Sequence, residues 1–220
     1  MFNGSSASSM TPKTLWSGGL GASLSQRPLL VVLAGPNGSG KTTFFHAYLA
    51  PAGLRFVNAD VLARDLGLEA RQGGAAADAV RATLIEQGES FVTETVFSDP
   101  AGAKWAQFEA AVSRGYTVLL VFISVGGPDV CDERVAMRVS QGGHDVPPDR
   151  LVSRYPRVMD NLRSALERVP HVLVYNNGDL SRPFRFIARA EVGRVVEEVE
   201  GAERPTWWVG VRGTLASAPN

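Results

Sequence analysis

Residues 35–42 read GPNGSGKT, and residues 134–157 read RVAMRVSQGGHDVPPDRLVSRYPR. The first stretch fits G-x-x-x-x-G-K-[ST], a spacing at which backbone can wrap an anion. Gly35, Gly38 and Gly40 free the chain to turn its N–H groups inward toward phosphate oxygens. The helix expected to follow adds its positive N-terminus. In this pattern Lys41 reaches the β- and γ-phosphates and the Thr42 hydroxyl ligates Mg²⁺. A Gly-rich turn without chemistry leaves the Lys-Thr pair unexplained. The pattern implies a nucleoside triphosphate, with Gly35, Pro36, Asn37, Gly38, Ser39, Gly40, Lys41, Thr42 and Thr43 as its contacts.

Two acids stand where neighbouring strands should end. Asp60 closes RFVNAD, and its carboxylate can accept the proton of an attacking hydroxyl, kept ionised by nearby Mg²⁺. Its other reading is a helix N-cap ahead of residues 61–66. Glu94 interrupts the apolar run FVTETVF, where an unpartnered charge is expensive. It is expected to serve Mg²⁺ or, with Thr95, the acceptor; a lone polar position at a strand end is the alternative.

The arginines come next. Arg134 and Arg138 are four apart and share a helical face. Arg150, Arg154 and Arg157 fall on one arc beside the apolar stripe Leu151, Tyr155, Val158, Leu162 and Leu166, with Pro156 expected to kink or restart that helix. Arginine matches phosphate oxygens bidentately and keeps its charge. Arg134, Arg138 and Arg154 are therefore expected on the transferring phosphoryl group, against the alternative of a solvated face. Gly142 and Gly143 before Pro147 and Pro148 read as a lid hinge. His144 there suits either a phosphate contact or a cap within the loop.

Positioning these groups requires strands that alternate with helices. PLLVVLAG (28–35), RFVNAD (55–60), SFVTETVF (90–97), YTVLLVFISV (116–125) and HVLVYNN (171–177) read as five parallel strands. Helices are expected at 41–49, in two pieces within 61–87, at 101–113, and from about 129 and 149. FRFIARAEVGRVVEEVE reads as an antiparallel hairpin, its edge covered by Trp207 and Trp208. The fold class is thus a three-layer α/β/α P-loop NTPase with a mainly parallel five-stranded sheet, an arginine-bearing helical lid and a C-terminal hairpin.

One domain spans 28–220, behind a Ser/Gly-rich leader at 1–27 that carries Trp16. The 22 basic and 22 acidic side chains cancel, so no global field recruits nucleic acid. No apolar run is long enough to span a membrane. The lone Cys131 allows no internal disulfide, and a cytoplasmic setting is expected. Only Lys13, Lys41 and Lys104 are lysines, so a lysine here reads as selected.

A regulatory GTPase needs D-x-x-G and N-K-x-D, and NNGD (176–179) imitates only the second, with Asn177 replacing the lysine. A transport ATPase needs an apolar run ending in Asp-Glu, but 116–125 ends in Ser-Val with glycines following. A small-molecule kinase needs only a metal-tuned acid, a base and mobile positive charge. The P-loop, NAD at 58–60, ETVFSD at 94–99 and the Arg-Val…Gly-Gly-His-x-Val-Pro…Arg-Tyr stretch together resemble the zeta-toxin-like P-loop kinases over roughly 28–190. The resemblance implies transfer of the ATP γ-phosphoryl to the 3′-hydroxyl of a UDP-N-acetylamino sugar such as UDP-N-acetylglucosamine, with Mg²⁺. It implies Asp60 as base, Lys41 and Thr42 on ATP, and Glu94 in the acceptor and metal region. Asn177 joins the nucleotide contacts, and an antitoxin protein is left open as a partner. The family's Glu-Thr-Thr-Leu-Ser-Gly is here Glu94-Thr95-Val96-Phe97-Ser98-Asp99, its Arg-Arg-Tyr is Ser153-Arg154-Tyr155, and its Asp-Asn-Ser is Asn176-Asn177-Gly178. These departures leave two alternatives open: a kinase of another small-molecule or nucleotide acceptor, and a nucleotide-binding interaction module.

Overall fold

The computed structural model describes residues 25–99, 103–140, 146–213 and 215–217. Five parallel strands form its centre: β1 (Leu29–Ala34), β2 (Arg55–Val57), β3 (Phe91–Thr95), β4 (Thr117–Ser124) and β5 (His171–Asn176), in the order β2-β3-β1-β4-β5. The hairpin is real but not separate. Its strands β6 (Arg185–Glu191) and β7 (Arg194–Glu198) join β5 antiparallel, and β8 (Ala216–Ser217) pairs with β7, so the sheet has eight strands rather than five.

All six residues of β1 are buried, as expected of a strand covered on both faces. Leu30 and Val32 face one apolar cluster, while Leu29, Val31 and Leu33 face the other. The second cluster is closed by α1 (Lys41–Phe44) and the wider turn Phe45–Leu49, through Phe44, Phe45 and Leu49. A single helix over 41–49 was the expectation; the last five residues instead adopt π geometry. The first cluster takes residues from α3 (Ala70–Gln87), α4 (Ala103–Ser113), α6 (Pro148–Arg168) and α7 (Thr206–Arg212). A fully buried Leu or Val in either cluster stabilises the fold by about 1.5–3 kcal/mol.

Two helices stand at the carboxyl edge of the sheet: α2 (Ala59–Leu66), directly after β2, and α5 (Pro128–Ser140), after β4. Helix α6 runs unbroken through Pro156, contrary to the expected kink or restart. Its apolar stripe is buried at Leu151, Val158, Leu162 and Leu166, which holds the helix despite the lost N–H. Trp208 is fully buried against the sheet face, donating from Nε1 to Glu198 at 2.7 Å, and Trp207 lies beside Phe122. The tryptophans therefore cover a face; β8 pairs with the edge they were expected to shield. The hinge residues Gly142, Gly143 and His144 lie outside the described residues.

Candidate functional site

The loop between β1 and α1 wraps as its sequence predicts. Gly35, Gly38 and Gly40 all have positive φ, at 144°, 76° and 90°. A Cβ on Gly35 would stand 2.1 Å from the Ile123 carbonyl oxygen, so β4 forbids any larger residue there. Lys41, the first residue of α1, is buried, and its Nζ donates to the Gly35 and Pro36 carbonyls at 3.0 Å each. Burial lowers its pKa, partly offset by the Glu94 carboxylate, whose Oε1 is 3.8 Å away.

Glu94 is the penultimate residue of β3, one strand from the loop, since Leu33 is its register partner on β1. Its Oε2 accepts from the Thr42 hydroxyl at 2.8 Å and from Asn58 Nδ2 at 2.9 Å. The burial cost of this charge is thus met by Lys41, Thr42 and Asn58. The hydroxyl of Thr42 and the carboxylate of Glu94 form a hard oxygen pair of the kind Mg²⁺ takes alongside phosphate and water. No cluster of three or more acidic, His or Cys side chains that could hold a metal ion occurs among the described residues.

Asn58, not Asp60, caps the helix that follows β2. The Asn58 Oδ1 accepts from the backbone N–H groups of Asp60 at 2.8 Å and Val61 at 3.1 Å, so Asn58 is the N-cap of α2. Helix α2 begins at Ala59 rather than at 61, and Asp60 sits in its first turn, exposed and relieved of capping. Asp60 and Glu94 both line a cavity of ≈ 540 Å³ that opens beside the loop.

Across that cavity stand Asp78 and Arg81 of α3, Lys104 of α4, and Arg154 and Arg157 of α6. Arg81 is buried, donating to Thr93 Oγ1 at 2.7 Å and pairing with Asp78. Asp78 Oδ1 also accepts from Lys104 Nζ at 2.5 Å and Gln107 Nε2 at 3.1 Å. Partial burial would raise the Asp78 carboxyl, but Lys104, Gln107 and Arg81 outweigh it and hold the group below its ordinary value. The loop after β3 closes the wall. Phe97 is held at φ 63°, an uncommon conformation for a bulky residue, while Thr95 Oγ1 accepts from its N–H and Asn161 of α6 donates to its carbonyl.

The two arginine helices reach the site differently, α5 following β4 and α6 packing on the loop after β3. Arg134 Cβ lies 3.2 Å from where a Gly38 Cβ would stand, which brings α5 directly onto the loop tip. Arg138 is close enough to Lys41 for its charge to lower the lysine pKa. Arg154 lines both the large cavity and a small recess shared with Pro36, Asn37 and Cys131. Cys131 itself is buried, its thiol pushed up to about 11 chiefly by burial, and is therefore not a poised nucleophile.

A profile described as an AAA domain matches residues 30–160, which include the loop, both acids and the arginine helices as far as Arg157. The chain belongs to the AAA-domain family. The structure of AvrRxo1-ORF1:-ORF2 solved with ATP superposes with a TM-score of 0.64 at 17% identity, over 90% of this chain and 68% of that one. Its counterpart solved with sulphate ions gives 0.60 at 20% identity, over 90% and 68%. The PezAT toxin–antitoxin system of Streptococcus pneumoniae gives 0.53 at 16% identity, over 69% and 68%. At these identities the likeness is one of fold. A comparison with curated proteins finds no match.

Within this AAA-domain chain the predicted residues from the loop, both strand ends and both helices converge on one edge of the sheet. Asn177 stands somewhat apart. It is buried, with Nδ2 donating to the Ser39 carbonyl at 2.9 Å and Oδ1 accepting from the Phe184 N–H at 3.3 Å, so its amide braces the loop from within. Ser39 and Thr43 flank the same loop, buried and exposed respectively. Arg150 is exposed and does not line the cavity, whereas Arg157, left aside in the sequence, does. Sequence reasoning missed Asn58, Asp78 and Arg81. Asn58 had a signal, an N-cap residue before an apolar-periodic stretch, that was assigned two positions late. Asp78 and Arg81 carry no local signal, since an i, i+3 pair of opposite charges is common on a helix surface.

Proposed function

We propose that this protein is an ATP-dependent kinase of a small-molecule hydroxyl, with a UDP-N-acetylamino sugar as the leading acceptor. The observation that carries the proposal is Asp60. It is freed from capping by Asn58 and exposed on the cavity that opens beside Lys41, Thr42 and Glu94. On this reading the loop N–H groups and Lys41 hold the ATP phosphates, and Asp60 takes the proton of the acceptor hydroxyl. That oxygen then forms its bond to the γ-phosphorus as the bond to ADP breaks. Arg134, Arg138 and Arg154 balance charge on the transferring group. Thr42 and Glu94 would hold Mg²⁺, whose positive charge neutralises phosphate oxygens.

A volume of ≈ 540 Å³ is in the range that accepts a ligand larger than a bare sugar. The fold neighbours include one member of a toxin–antitoxin system, and an antitoxin-like protein partner belongs to the same proposal. No helix among the described residues is long and apolar enough to cross a membrane.

The test is incubation of the purified chain with ATP, Mg²⁺ and UDP-N-acetylglucosamine, with mass spectrometry of the sugar nucleotide. A gain of one phosphate is expected, lost in Asp60→Asn while ATP binding and the melting temperature stay within error. No product at any enzyme level removes that acceptor; a metabolite extract then shows whether any hydroxyl compound is phosphorylated. Full activity in Asp60→Asn removes the base.

A further inference from the structure

An apolar groove of ≈ 260 Å³ lies at the opposite, amino end of the sheet, between α4 and the end of α6. Its floor and walls are Trp105, Phe108, Val112, Val118, Val169 and Pro170. Arg168 borders it, stacked 4.7 Å over the Trp105 ring and paired with Glu109, so a polar rim frames an apolar interior. Val112 is 46% exposed there. Nothing in the proposed phosphoryl transfer uses this groove.

The chain enters the fold beside it. Thr117 N–H donates to the Pro28 carbonyl at 3.0 Å, and Val118 on the groove floor is the register partner of Leu30. Adjacent strands are about 4.8 Å apart, so the segment ahead of Pro28 starts one strand from the groove. That segment is Ser/Gly-rich except for a few apolar residues, among them the pair Leu15-Trp16. Trp16 lies twelve residues before Pro28, a span that reaches about 40 Å when extended and needs far less here. A short tether of this kind raises the local concentration of its end to roughly millimolar.

We propose that the groove is the docking site of the chain's own N-terminal segment, with Leu15-Trp16 seated between α4 and α6. Trp is the side chain best suited to such a slot, with a large apolar body and one N–H for the rim. The docked segment covers the far flank of α4, whose first turn supplies Lys104 to the acceptor cavity and whose Trp105 packs on Phe97 at 5.6 Å between ring centroids.

Hydrogen exchange on the full chain, read by mass spectrometry, tests this. Amides around 13–18 are expected to exchange more slowly than an unstructured chain, equally at low and high protein concentration. Val112→Glu is expected to abolish that protection while β1 and β4 keep theirs. Trp16→Ser is expected to speed exchange in the groove peptide 105–113. An unprotected segment in the wild type, protection that survives Val112→Glu, or a groove peptide indifferent to Trp16→Ser overturns the proposal. Protection that grows with protein concentration also overturns it, in favour of a second copy in the groove.

Discussion

Replacing Asn58 should separate two stabilising roles that one amide performs. Its Oδ1 caps α2 through two N–H groups, and its Nδ2 donates to Glu94 Oε2 at 2.9 Å. Loss of an N-cap costs about 1 kcal/mol. Loss of a hydrogen bond to a charged group costs about 1.5–3 kcal/mol, and Asn58 is buried, so water replaces it poorly. Asn58→Ala should therefore cost about 3 kcal/mol, which for a domain of this size lowers the melting temperature by roughly 6–12 °C. Asn58→Ser retains a capping oxygen and loses only the donor to Glu94, so it should recover about 1 kcal/mol of that deficit. Urea unfolding of the wild type and both variants at neutral pH gives the three values directly. An Ala variant within about 0.5 kcal/mol of wild type, or a Ser variant no better than Ala, refutes the double role.

Gly40→Ala places a Cβ 2.7 Å from Asn177 Nδ2 at a φ of 90°. Because that amide is fixed by Ser39 and Phe184, the variant should lose about 1–3 kcal/mol in urea unfolding and bind ATP more weakly in calorimetry. Asp78, held below its ordinary carboxyl pKa of 3.8, binds fewer protons folded than unfolded as pH falls through that value. Its contribution is complete above about pH 4 and lost below the folded pKa, so the stability deficit of Asp78→Asn should be full at pH 7 and shrink toward pH 3 in urea titrations. A deficit that is constant with pH would remove the Lys104 and Arg81 pairing as its cause.

The parallel strands and the loop were legible because their signals are local. A continuous apolar run, three glycines and Lys-Thr specify strand, turn and helix start within fourteen residues, 29–42. Glu94 was legible as a charge in an apolar strand, since burial demanded partners even before Lys41, Thr42 and Asn58 were known. The errors arose where tertiary contact outvotes local preference. Pro156 does not end α6, because the buried stripe on either side holds the helix through it. Trp207 and Trp208 follow a hairpin, and nothing local distinguishes a sheet edge from a sheet face. Asp78 and Arg81 acquire their role only when α4 brings Lys104 and Gln107 to them, 26 and 29 residues away from Asp78.

The cation arrangement explains why the arginines occupy helices separate from the loop. Lys41 already satisfies two carbonyls and Glu94 inside a buried site, and Arg138 makes its charged form less favourable. Arg134 is likewise lowered by burial at the loop tip. Glu94 is the anion that partly offsets Lys41, and the arginines add their positive charge from outside the loop. Carried on α5 and α6, they flank a chain segment, 141–145, rich in glycine and free of bulky apolar residues. On the proposed function, a bound polyphosphate replaces cation–cation repulsion with charge-assisted hydrogen bonds, so the same positive charge that disfavours the ligand-free site favours the loaded one. Asp60 and Glu94 both meet Asn58, Asp60 through its backbone N–H and Glu94 through its carboxylate, so one buried side chain joins the two acids of the cavity that Arg154 also lines.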